Sequence, residues 1–129
     1  MKILPSILLL LLDVLWLKFY MGKQYEIQIR NIQGFPMKTK PLYIVFSYLL
    51  MIIGLNLFVL PKIRKGNELI GSLKYGFTFG IVLYGVYDFT AGAVLSKWDP
   101  KLAVIDVIWG GFVFFLASYL GSRLINIKK

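Results

Sequence analysis

Three aspartates stand inside stretches otherwise built from leucine, isoleucine, valine and phenylalanine: Asp13 in LLLLLDVLWL, Asp88 in YGVYDFTAG and Asp106 in AVIDVIWGG. Near the centre of a membrane helix a charged aspartate costs about 2.5–3.5 kcal/mol. Three without partners would cost on the order of 8–10 kcal/mol, comparable with the whole stability of a small protein. They must therefore face the interior of a bundle and be protonated, paired or hydrated. The chemistry open to such groups is proton exchange, attraction of a cation, or acid–base work by a pair.

Their neighbours share helix faces with them. Asp13, Trp16, Leu17 and Tyr20 follow the i, i+3, i+4, i+7 spacing; Tyr84 and Asp88 are four apart, with Ala91 and Leu95 continuing the stripe; Asp106, Trp109 and Gly110 repeat the first spacing. LDVLW around Asp13 and IDVIW around Asp106 are nearly one word. On antiparallel helices, such words set each aspartate near the depth of the other's tryptophan. Reciprocal contacts from each indole N–H to the opposite carboxylate are expected. Thr90 and Ser47 are hydroxyl donors at a similar depth, although lone hydroxyls in such helices usually bond their own i−4 carbonyl.

Four apolar spans carry these residues, at approximately 3–21, 42–60, 69–95 and 101–124. Each approaches or exceeds the ~20 residues that cross a ~30 Å hydrocarbon core. Pro5 falls in a first turn, Pro61 stops the second span and Pro100 opens the fourth. The polar stretch from Gly22 to Pro41 is expected at the interface. Span one begins like a signal peptide, but no small-x-small cleavage site follows and Asp13 interrupts its apolar core, so an uncleaved anchor is expected. The expected fold is all-α: a four-transmembrane-helix bundle, one integral membrane domain over 1–129, with both termini on the same side. At 1.5 Å per residue, Asp13, Asp88 and Asp106 lie ~12, ~10 and ~8 Å from the loop-side face, in one layer.

Composition agrees. Of 129 residues, 58% are hydrophobic, and there is no cysteine and no histidine. That removes disulfides, thiol nucleophiles, the usual zinc sites and the Ser-His-Asp and Cys-His arrangements. No metal or other cofactor is expected. The net charge of +9 comes from Lys and Arg that flank spans rather than cluster on a polar domain. It points to interfacial anchoring in the lipid bilayer and attraction to anionic lipids, not to nucleic acid. Lys2, Lys62, Arg64, Lys65, Lys74, Arg123, Lys128 and Lys129 flank the terminus side; Lys18, Lys23, Arg30, Lys38, Lys40, Lys97 and Lys101 flank the other. So near a balance assigns neither orientation nor host membrane. Gly76 and Gly80 form a GxxxG, and Gly110, Ala117 and Gly121 a second small face. Packing against another helix is the first use expected of the GxxxG. A pore or alternating-access path would require a homodimer, for which these faces are the candidates.

The order of these residues resembles a family of predicted four-span membrane proteins of unknown function (domain of unknown function 2177). The resemblance runs through Asp13-x-x-Trp16-Leu17, Tyr25, Gly54, Phe58-Val59-Leu60-Pro61, Tyr84-Gly85-Val86-Tyr87-Asp88-Phe89-Thr90-Ala91, Trp98 and Asp106-x-x-Trp109-Gly110. Val86 and Ala91 stand where the family pattern has Thr and Asn, and Pro61 comes one residue sooner. The resemblance implies a four-span fold and Tyr87-Asp88 as the centre of a site. It implies no activity.

The reading that follows is a site formed by Asp13, Asp88 and Asp106 with Tyr84, Tyr87, Trp16, Trp109 and Thr90. It would bind or conduct a proton, a cation or a small cationic ligand, the aromatic faces serving an amine. Two other readings stand beside it. In one, the aspartates are interhelical glue in an assembly protein. In the other, Asp88 and Asp106 are the acid–base pair of a membrane-embedded enzyme. Tyr87-Asp88 resembles the Tyr-Asp of intramembrane aspartyl proteases, but their Gly-x-Gly-Asp has no counterpart, since Ala103-Val104-Ile105 precedes Asp106. Whether the chain is an enzyme stays open at this level.

Overall fold

The structure, a computed structural model, describes residues 2–36 and 40–128, the side chains of 125–128 excepted. Lys38 and Lys129, two of the charges weighed above, lie outside the described residues, as does the side chain of Lys128. Among the described residues there is no strand. The chain forms α1 (Ile3–Gln33), α2 (Pro41–Lys62), α3 (Glu68–Val94) and α4 (Pro100–Lys128), each long and apolar enough to cross a membrane. At the start of α1 the Lys2 backbone N–H donates to the Asn56 side chain near the end of α2, at 2.8 Å. Gly121, late in α4, lies against Pro5. Both chain ends therefore meet at one end of the bundle, opposite the α3–α4 turn.

Local sequence sets the boundaries. Pro41 and Pro100 occupy first helical positions, where a missing N–H is harmless. Asp99 Oδ1 accepts the Lys101 backbone N–H at 2.9 Å, capping α4. The first helix does not stop near residue 21: it continues as Gly22–Gln33, so the stretch expected at the interface is largely helical and prolongs α1. No proline lies between Gly22 and Gly34, and the chain passes Gly22 through a wide turn, its N–H reaching five residues back to the Leu17 carbonyl. The helix ends where Gly34 turns left-handed (φ 83°), its N–H on Arg30 O at 2.9 Å. Its 31 residues exceed what a ~30 Å hydrocarbon core needs by about ten, and its polar third packs on the α3–α4 turn through Gln28 and Asn31.

α4 runs through the core. Val113, Phe114 and Ala117 are buried against Leu9 of α1 and Leu55 and Val59 of α2. α3 crosses α4 in backbone contact: Gly76 faces Phe114 and Ser118, Gly80 lies on Gly110, and the Tyr84 ring covers Gly110. The small faces suggested for a second copy are thus spent within the chain, which leaves a homodimer without that support. α2 is the outer helix. Gly54 and Phe58 meet Phe79 of α3 toward the terminus end, whereas the loop-ward half, from Leu42 to Leu50, is largely exposed.

Candidate functional site

The glycine crossing fixes the site. On α3, Tyr84 and Asp88 follow Gly80 by one and two turns toward the loop side. On the antiparallel α4, Trp109 and Asp106 precede Gly110 in the same direction. α1 brings in Asp13 beside them. All three carboxylates are buried, with 6% of Asp13, none of Asp88 and 5% of Asp106 exposed.

Asp13 is satisfied. Its Oδ1 accepts from the Tyr84 hydroxyl at 2.8 Å and the Trp109 indole N–H at 3.2 Å, and its Oδ2 from the Tyr48 hydroxyl at 2.9 Å. The donors come from α3, α4 and α2, so one carboxylate on α1 ties four helices together. A carboxylate offers about four lone-pair sites, and three are used.

Asp88 is the opposite case. Neither of its oxygens has a donor, although both are buried, and its carboxyl faces that of Asp106. Asp106 also faces the Tyr25 hydroxyl. Among the described residues no Lys or Arg bonds to any of the three aspartates. Two ionised carboxylates side by side in a low-dielectric interior repel strongly. One proton between them turns that repulsion into a hydrogen bond, and a cation between them would serve equally.

The polar third of α1 roofs this pair. Tyr25 projects from it, and the Trp98 ring lies 6.1 Å from both the Tyr25 and Tyr87 rings. The α3–α4 turn that carries Trp98 is tied to α1 twice. The Gln28 side-chain oxygen accepts the Asp99 backbone N–H, and the Lys97 ammonium donates to Asn31 O at 3.2 Å.

Beside the carboxylates opens a cleft of about 460 Å³ between α1, α2 and α3, reaching Asp13 and Asp106. Its walls include Trp16, Leu17, Tyr25, Ile44, Ser47, Tyr48, Leu50, Met51, Leu83, Tyr84 and Tyr87. Leu50 and Tyr87, 68% and 58% exposed, put its mouth on the flank that faces lipid.

The expected residues divide accordingly. Trp109 places its N–H on Asp13, but the converse contact is not made. The Trp16 indole stacks on Trp109, with centroids 4.6 Å apart, and its N–H is buried without a partner. Tyr84, four residues from Asp88 on the same stripe, turns to Asp13 instead. Tyr87 stands at the mouth of the cleft. Thr90 is exposed; two residues beyond Asp88 it lies ~200° around the helix, on the outer side. Sequence reasoning missed Tyr48 altogether, and Tyr25 was marked only by the family pattern. Among the described residues no group of three His, Cys, Asp or Glu could hold a metal ion.

The chain matches the model of the family described as "Predicted membrane protein (DUF2177)" over residues 2–123, and it belongs to that family. It is a multi-pass integral membrane protein. No curated protein and no solved structure matches it.

Proposed function

We propose that this DUF2177 membrane protein binds, and passes on, a proton or small cation at the Asp88–Asp106 carboxyl pair. The observation that carries the reading is Asp88: wholly buried, without a donor on either oxygen, and facing a second carboxyl. Glue of the usual kind brings a donor to each acceptor, as at Asp13, whereas the Asp88–Asp106 contact holds two helices only once a proton is taken up between them. An uncompensated carboxyl pair in the interior is a place for a mobile positive charge. Tyr25 and Trp98 separate it from the loop side, and the cleft reaches Asp106 from the flank.

Asp13 favours a second role for its own carboxylate, that of an interhelical lock. Three donors from three helices leave it little capacity for a ligand. Of the three aspartates, then, one holds the bundle and two hold the charge.

The test is infrared spectroscopy on purified protein joined to flux in liposomes. A protonated carboxyl shows a C=O stretch distinct from that of a carboxylate. The wild type and Asp13→Asn should show this band, and Asp88→Asn and Asp106→Asn should lose it. Proton or alkali-cation flux should vanish with it. A band that survives both of the latter substitutions, or flux indifferent to them, would overturn the reading.

A further inference from the structure

We infer that the cleft is a binding site for an alkylammonium, a positively charged amine carried on an apolar chain, which enters sideways from the bilayer. The inference rests on the reading above, in that it takes Asp106 to be available to a cation.

Charge sets the class. The cleft reaches Asp13 and Asp106, and among the described residues no Lys or Arg contributes to its lining. The hydroxyls of Tyr48 and Tyr84 are already committed to Asp13. These residues offer a ligand their rings rather than donors, and the Trp16 and Tyr25 rings add to the aromatic wall. A site with carboxylates and ring faces but few free donors suits a cation and repels an anion.

Geometry sets the apolar chain. A mouth edged by Leu50 on a lipid-facing flank favours an amphiphile already dissolved in the bilayer over a hydrated ion. Such a molecule would lie with its chain against Ile44 and Leu50 and its head toward Asp106. The volume of about 460 Å³ is within the range of small-molecule sites. The amine could belong to a lipid headgroup or to a free amphiphile, and the chemistry is the same.

The experiment titrates purified protein in an uncharged maltoside detergent with dodecylamine, following tryptophan fluorescence; Trp16 lines the cleft and Trp109 stacks on it. Dodecyl sulfate tests the charge and methylamine tests the chain. Dodecylamine should saturate, and the other two should fail to bind in the same range. Ser47→Trp, on the exposed face of α2, should fill the cleft and weaken binding at least tenfold without disturbing the bundle. Asp106→Asn should weaken it similarly. Equal binding of dodecyl sulfate, or undiminished dodecylamine binding by Ser47→Trp, would overturn the proposal. Competition by added phosphatidylethanolamine would identify the lipid as the source, and its absence the free amphiphile; either follows only once dodecylamine has bound. If dodecylamine fails while the Asp88→Asn infrared result holds, the carboxyl pair stands and the cleft proposal alone falls.

Discussion

Trp16 and Trp109 stack with ring planes 8° from parallel, yet only one of the two indoles makes a hydrogen bond: Trp109 donates to Asp13, and the Trp16 N–H is buried without a partner. Two similar five-residue words thus give two different environments. In the stacked pair, the ring of Trp109 is turned so that its N–H meets α1's carboxylate, while the N–H of Trp16 meets nothing on α4.

Replacement should separate the two. Trp109→Phe removes an interhelical hydrogen bond, worth about 0.6–2 kcal/mol in a membrane. Trp16→Phe removes no bond and keeps an aromatic ring on the stack, so it should cost about 1 kcal/mol or less. Thermal unfolding in detergent checks the order. Equal losses would mean that the N–H to Asp13 contributes nothing beyond the ring.

The aspartates should respond in opposite directions. Asp13→Asn places an amide N–H2 among three donors and should destabilise by about 1–3 kcal/mol. Asp88→Asn supplies a donor to Asp106 and removes one of two facing carboxyls. Its Tm should equal or exceed that of the wild type. A collapse of Asp88→Asn comparable with that of Asp13→Asn would make Asp88 a structural residue.

The crossing of α3 and α4 tolerates no side chain at Gly80, because a Cβ there would overlap the Gly110 backbone. Gly80→Ala should cost about 1–3 kcal/mol or more by overpacking, and Gly80→Leu should prevent a stable bundle. Gly92→Ala is the control, since its Cβ would meet only Trp98 Cδ1 at 3.6 Å, an ordinary contact. Yield and monodispersity in detergent, followed by unfolding, distinguish them.

Gln28→Leu should loosen the roof. The Asp99 N–H loses its acceptor, a change worth about 1 kcal/mol locally. Faster amide exchange at Leu95–Asp99 and a red-shifted Trp98 emission are the expected readouts, with global stability little changed. Exchange no faster than in the wild type would show that Lys97 and Asn31 hold the turn by themselves.

Much of this was legible in the chain. The four spans follow from runs of apolar residues punctuated by Pro61 and Pro100. Matching words around Asp13 and Asp106 anticipated Trp109 on Asp13. Rotation about each helix axis was not legible. Tyr84 shares a stripe with Asp88, yet its hydroxyl crosses to another helix. Tyr48 sits in a run of apolar and aromatic residues with no spacing to mark it, because its partner is 35 positions away on α1. The continuation of α1 could have been read, since the first firm stop signals after Met21 are Gly34 and Pro36. Thr90 could have been set aside from its two-residue offset to Asp88.

Tyr48 on α2 has a consequence for time. Among the described hydrogen bonds of the loop-ward half of α2, the one from Tyr48 to Asp13 is the bond that reaches another helix. Such bonds average about 0.6 kcal/mol in a membrane, close to the thermal energy itself. Counting that bond alone, a swung-out α2 would be roughly a third as populated as the closed one, exchanging on the microsecond-to-millisecond scale of helix motions. On that count the aperture beside Asp106 would fluctuate, and the Tyr48 hydroxyl would contribute to how long it stays shut.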